Sequence, residues 1–82
     1  MKIHLVYSLD CIDGYTHIKS AHRNEEIANE KAEELRREEE MREKRYAEWV
    51  NTEFISEEEA ENSMPEMPYD CIYRVCSIEV EE

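Results

Sequence analysis

The chain has 82 residues and a mass of 9.9 kDa, which allows one small domain, residues 1–82, with a thin core. Apolar residues make up 40% and charged residues 39% of the chain, with one glycine and two prolines. This composition argues against an all-β sandwich, which needs more turn residues. The net charge of −12 at pH 7 repels phosphate backbones, so direct nucleic-acid binding is not expected. The same charge favours partners with a basic surface.

Targeting signals and disulfides are also not expected. The N-terminal apolar run, residues 5–7, is far shorter than the about 7–15 residues of a signal peptide or the about 20 of a membrane span. We therefore expect a cytoplasmic protein that does not enter a membrane. Three cysteines are an odd number, which predicts reduced thiols rather than a closed disulfide framework.

Alternating apolar and polar residues predict two N-terminal strands, residues 2–8 and 15–20, joined as a hairpin. A register with Leu5 opposite Ile18 collects the apolar side chains on one face of the hairpin. We expect this register because a shift of one residue would move the apolar side chains to the other face.

A long helix is predicted to begin at Asn24, which is a good N-cap. Its first part carries an apolar stripe consisting of Ile27, Ala28, Ala32 and Leu35. Residues 36–45 are strong helix formers with a single apolar side chain, so this part is predicted to be solvated and to contribute little to the core. Its predicted ion pairs are Glu38–Arg42 and Glu40–Lys44.

The C-terminal third is predicted to hold a short helix and a last strand. Ser56 followed by three glutamates is a capping-box pattern, which predicts a helix to about Asn62. Residues 69–80 alternate and predict the strand. One face of this strand has Ile72, Cys76, Ile78 and Val80, and the other has Cys71, Tyr73 and Val75.

These elements predict an α+β, ββαβ-like fold: a three-stranded antiparallel sheet of order 2-1-3, one long helix and a short second helix. We expect the long helix to cover the face that holds Leu5. The opposite face would then display Val6, Tyr15, His17, Tyr73 and Val75. That face could be covered in two ways: by a partner, or by the aromatic stripe defined below folding back over it. We favour the stripe because its Trp and Phe need burial. The aromatic stripe consists of Tyr46, Trp49, Val50 and Phe54.

Histidines and cysteines are the candidates for catalysis or metal binding. The sequence contains no nucleophile elbow, phosphate-binding loop or zinc motif. A cysteine nucleophile with His17 as its base, and a zinc site using His4 and His17, are the weaker alternatives. We expect no enzymatic activity, no cofactor and no bound metal.

Acidic residues are concentrated toward the C-terminus, where residues 51–82 hold ten acidic residues and one basic residue, Arg74. Carboxylates fixed on a short helix can imitate a row of phosphates and occupy a basic groove. The alternative is that they only keep the protein soluble. The predicted partner-binding residues are Glu53, Glu57, Glu58, Glu59, Glu61 and Glu66, with Trp49 and Tyr73 as aromatic anchors.

The chain resembles small uncharacterised bacteriophage proteins in its opening segment 1–7, the segment 15–18, the Ala/Glu-rich helix and the strand 72–80. In size and acidity it is also similar to anti-CRISPR and other anti-defence inhibitors, several of which mimic DNA. The resemblance implies a phage-encoded inhibitor that acts in the host cytoplasm on the basic surface of a nucleic-acid-handling defence protein. The alternative is a small homodimeric assembly module that pairs through the sheet or the long helix.

Overall fold

The structure is a computed structural model that describes residues 1–81. The elements are β1 Lys2–Asp10, β2 Thr16–His22, α1 Glu25–Val50, α2 Glu57–Asn62 and β3 Cys71–Glu79. The three strands form one antiparallel sheet in the order β2-β1-β3. The predicted α+β class, the strand order, the long helix and the short second helix are therefore confirmed.

Contacts within the chain divide it into two compact units. The first holds residues 1–37 and the chain from residue 70, and therefore contains the whole sheet and the first half of α1. The second is formed by residues 38–69, with the second half of α1, α2 and the segment that follows it.

The register between β1 and β2 differs from the predicted one. Leu5 lies opposite Ala21, and Ile18 lies opposite Tyr7 instead of Leu5. The register also shifts between Val6 and Tyr7, as it does where one strand carries an extra, bulged residue. The predicted pairing of Leu5 with Ile18 is wrong.

Asp10 explains this register because it closes the turn with its backbone and its side chain. Its N–H donates to the carbonyl of Tyr15 at 2.9 Å, and its carbonyl accepts from the N–H of Gly14 at 3.0 Å. Its carboxylate accepts from the N–H of Ile12 at 2.8 Å. Gly14 has a φ of 77°, a left-handed conformation that glycine adopts without steric cost. The turn is therefore short, and β1 continues to Asp10.

Helix α1 begins at the predicted cap, where the side-chain oxygen of Asn24 accepts from the N–H of Glu26 at 2.8 Å. Ala28 and Ala32 of this helix form the core cluster with Val6, and all three are fully buried. Small alanine side chains let the helix backbone approach the sheet closely. Leu35 packs at the edge of this cluster and is only partly buried.

The face of the sheet that α1 covers is the face predicted to point outward. Val6 and Val75 contribute to the core cluster, and Tyr73 is 3% exposed. The Nε and Nη2 atoms of Arg36 donate to the carbonyl of Tyr73 at 3.1 and 2.8 Å, which ties α1 to β3. The predicted orientation of the sheet is wrong, and α1 itself provides the cover that was assigned to the aromatic stripe or a partner.

The opposite face, here called the open face, keeps exposed apolar side chains. Ile18 is 66% exposed, and Ile72 and Ile78 are each 43% exposed. The strand pairing places eleven residues on it: Ile3, Leu5, Tyr7, Leu9, Thr16, Ile18, Ala21, Ile72, Arg74, Cys76 and Ile78.

In the second unit the aromatic stripe packs on itself. The ring of Trp49 lies 5.8 Å from the ring of Tyr46 and 6.1 Å from the ring of Phe54, measured between centroids. The indole N–H of Trp49 donates to the carbonyl of Ala60 in α2 at 2.9 Å. These contacts leave Tyr46, Trp49 and Phe54 half-buried within residues 38–69 and hold α2 against the end of α1.

Candidate functional site

Helix α2 has its own N-terminal cap, as the sequence predicts. The hydroxyl of Ser56 accepts from the N–H of Glu59 at 3.2 Å, and the carboxylate of Glu59 accepts from the N–H of Ile55 at 3.3 Å. This reciprocal pair satisfies two backbone donors that the helix cannot satisfy itself. Together with the bond from Trp49 to Ala60, it holds a six-residue helix in a defined orientation within its unit.

The segment around α2, residues 46–69, is here called the acidic segment. It contains no lysine or arginine, so its charge is not balanced by basic neighbours in sequence. Its glutamates are Glu48, Glu53, Glu57, Glu58, Glu59, Glu61 and Glu66. None of them forms an ion pair within 4.0 Å among residues 1–81.

Four of the six predicted contact glutamates display their carboxylates to solvent. They are Glu53, Glu57, Glu58 and Glu61. The carboxylate of Glu59 belongs to the helix cap, and that of Glu66 accepts a hydrogen bond from the Tyr69 hydroxyl. This hydrogen bond and the negative charge of Glu66 raise the pKa of Tyr69 above its usual value of 10.0. Glu59 and Glu66 therefore have structural partners of their own.

The two predicted aromatic anchors lie in packed positions. Trp49 is half-buried between Tyr46 and Phe54, and its indole N–H donates to the carbonyl of Ala60. Tyr73 is buried on the face that α1 covers. The expectation that Tyr73 lies on an exposed surface is therefore wrong, and both rings serve the packing of their units.

A buried polar cluster in the second unit was missed from the sequence. Glu39 is 5% exposed, and its carboxylate oxygens accept from the backbone N–H of Tyr69 at 2.9 and 3.3 Å. Nη2 of Arg42 donates to Glu39 at 3.2 Å, and its guanidinium lies 4.0 Å from the centre of the Tyr69 ring. The cluster attaches the segment after α2 to α1.

This cluster corrects two expectations about residues 36–45. Arg42 pairs with Glu39 at i,i+3, and neither of the predicted pairs, Glu38–Arg42 and Glu40–Lys44, is within 4.0 Å in the described chain. A segment predicted to contribute little to packing holds a buried carboxylate. The i,i+3 spacing of Glu39 and Arg42 can be read from the sequence. The contact of Glu39 with the backbone N–H of Tyr69, 30 positions away, cannot.

The histidine and cysteine side chains do not assemble into the alternative catalytic or metal sites. His17 lies opposite Ser8 on β2, whereas Cys71 lies opposite Asp10 on β3. Since β1 runs between these strands, about 10 Å of sheet separates the imidazole from the thiol. Cys76 points to the open face, which has no histidine among its eleven residues. Within residues 1–81 no group of three or more His, Cys, Asp or Glu side chains converges on a point where a metal could bind.

Comparisons with known proteins found no relatives. A scan against models of protein families gave no match, and neither did searches of curated proteins and of solved structures. The resemblance to phage proteins therefore stays a prediction. In the described part of the chain, no helix is both long enough and apolar enough to cross a membrane.

Proposed function

We propose that this protein is a non-enzymatic binding protein whose acidic segment occupies a basic, nucleic-acid-binding surface of another protein. The observation that carries the proposal is the set of exposed carboxylates on and beside α2, a helix fixed by its cap and by Trp49. Glu53, Glu57, Glu58 and Glu61 are the proposed contact residues.

Support also comes from the way charge is divided along the chain. Residues 1–45 hold eleven acidic and nine basic residues, whereas the acidic segment holds seven acidic residues and no basic one. A concentrated field of one sign attracts a surface of the opposite sign and speeds association. Carboxylates held on a fixed backbone bind such a surface with less loss of conformational freedom than carboxylates on a mobile tail.

We further propose that the partner is a host defence protein that handles nucleic acid, and that the chain is a phage-encoded inhibitor acting in the host cytoplasm. This part of the proposal rests on the resemblance described above and on the small size and acidity of the chain. The division of charge favours a local acidic patch over mimicry of DNA by the whole surface.

The test compares three tagged proteins as baits in a bacterial lysate: wild type, a patch variant and a matched control. The patch variant changes Glu53, Glu57, Glu58 and Glu61 to Gln and keeps Glu59, because Glu59 caps α2. The control removes the same charge from exposed positions of α1, by changing Glu30, Glu33, Glu38 and Glu40 to Gln. Any retained protein is then challenged with duplex DNA as competitor and across a salt series.

We expect wild type and control to retain a nucleic-acid-binding protein that duplex DNA displaces. The patch variant should bind it at least about tenfold more weakly, equivalent to about 1.4 kcal/mol, and with less dependence on salt. Equal binding by all three baits would contradict the proposal. So would a retained protein that duplex DNA does not displace.

A further inference from the structure

The open face is nearly free of charge in a chain that is rich in charge. One of its eleven paired residues, Arg74, is charged, whereas 39% charged residues would place about four on a surface of that size. Lys19, the exposed residue skipped at the register shift, is a second cation on β2. β3 is an edge strand, so the long side chain of Arg74 can reach solvent at the rim. The middle of the face, around Leu5 and Tyr7, is apolar.

We propose that the open face is the interface of a reversible homodimer, in which the sheets of two copies pack face to face. A twofold interface brings the same surface from each copy, so one apolar face covers another. Two sheets packed in this way lie about 10 Å apart, with strands inclined by about 30°. The proposal does not depend on the acidic segment or on its partner.

The size of the face fits a weak dimer. Strands of nine residues are about 30 Å long, and three strands spaced about 4.8 Å apart are about 14 Å wide. The face therefore covers about 430 Å² in projection, and two fully overlapping copies would cover about 860 Å² of surface in total. Stable complexes bury about 1,200–2,000 Å² in total, and transient ones less. We therefore expect a weak dimer whose population depends on protein concentration.

Charge favours a second copy over the other occupants. A basic partner would find no carboxylate among the paired residues of the open face, and an acidic partner would find only Arg74 on β3 and Lys19 on β2, the two edge strands. The strands together hold three basic and two acidic residues, so the sheets themselves add little charge repulsion to such an interface. The acidic excess of each copy lies outside the strands.

The first experiment measures mass by sedimentation over a range of protein concentrations, for wild type and two double variants. The face variant changes Ile18 and Ile72 to Glu, two exposed residues whose substitution leaves the core intact. The control changes Ile27 and Ile55 to Glu, which are exposed isoleucines in α1 and in the acidic segment. Circular dichroism checks that each variant is folded.

We expect wild type and control to change from monomer to dimer with rising concentration. The face variant should raise the dissociation constant by at least about 100-fold, because it buries unpaired like charges. A wild-type protein that stays monomeric at about 1 mM would overturn the proposal. A dimer that the face variant leaves unchanged, or that the control weakens equally, would overturn it as well.

The second experiment needs no variant, so it decides the question if the face variant fails to fold. Cys76 lies on the open face and Cys11 lies in the β1–β2 turn, and both are exposed. As protein concentration rises, the rate of Cys76 alkylation should fall in proportion to the fraction of protein that is dimeric. The rate of Cys11 alkylation should not change. Equal rates for Cys76 at all concentrations would contradict a dimer through this face.

Discussion

Three consecutive glutamates of α1 show how position decides the role of a residue. Glu38 and Glu40 are exposed, whereas Glu39 between them is buried beside Arg42 and the backbone of Tyr69. Successive side chains of a helix point about 100° apart, so neighbours of identical chemistry meet different surroundings. A buried carboxylate is tolerated here because a guanidinium and a backbone N–H replace the water it loses.

This difference gives a prediction for single alanine substitutions. Glu39→Ala should lower the free energy of unfolding by about 3 kcal/mol, because it leaves Arg42 and the Tyr69 N–H without their carboxylate. Glu38→Ala and Glu40→Ala, with the same change in helix propensity, should each cost less than about 0.5 kcal/mol. Urea unfolding followed by the fluorescence of Trp49, the only tryptophan, measures all three. Equal effects at the three positions would show that the cluster does not stabilise the unit.

At the scale of elements, α1 meets the sheet through its smallest apolar side chains. Ala28 and Ala32 contact Val6, and the bulkier Ile27 remains 49% exposed. Helix and sheet can approach closely because neither alanine side chain extends beyond its Cβ. Arg36 adds two hydrogen bonds to the carbonyl of Tyr73 in β3. The packing of α1 on the sheet therefore depends on small side chains at positions 28 and 32.

A larger side chain at this contact should push α1 away from the sheet. We expect Ala32→Leu to destabilise the protein by about 1–3 kcal/mol, since the fully buried site has no room for three more carbon atoms. Ala47→Leu places the same substitution at an exposed position of the same helix and should change stability by less than about 0.5 kcal/mol. Thermal unfolding followed by circular dichroism compares the two. Similar midpoints would mean that α1 does not pack closely on Val6.

For the whole molecule, most of the net charge and the apolar open face belong to different parts of the chain. The acidic segment contributes −7 of the net charge of −12, while the three strands hold more basic than acidic residues. The apolar open face is therefore not on the part of the chain that carries most of the charge. This separation allows a partner for the acidic segment and a second copy on the open face to use different residues.

Repulsion within the acidic segment should make stability depend on salt. Raising NaCl from about 0.01 M to about 0.5 M shortens the screening length from about 30 Å to about 4 Å. We expect the melting temperature of wild type to rise by about 4–8 °C, equivalent to about 1 kcal/mol. The variant with Glu53, Glu57, Glu58 and Glu61 changed to Gln should respond less, because four of the repelling charges are gone. An identical salt response in the two proteins would argue against repulsion in this segment.

The elements and their order could be predicted from the sequence. Alternation defined the strands, and Asn24 and Ser56 marked the starts of the helices, because strand patterns and helix caps depend on neighbours a few residues apart. It also identified an acidic stretch with four exposed glutamates, since charged side chains without partners remain in water.

Which face α1 covers could be read only from the folded chain, because the strand pattern places Val6 and Val75 on one face and Leu5 on the other without indicating which one the helix meets. In the structure Val6 and Val75 pack with the small side chains of Ala28 and Ala32, and the side chains around Leu5 lie on the open face. The hairpin register followed from the bonds of Asp10 in the turn. The role of Glu39 followed from a backbone donor that only folding brings near. The covered face and the role of Glu39 depend on residues that are distant in sequence, and the register depends on hydrogen bonds in the turn that the alternation of apolar and polar residues does not encode.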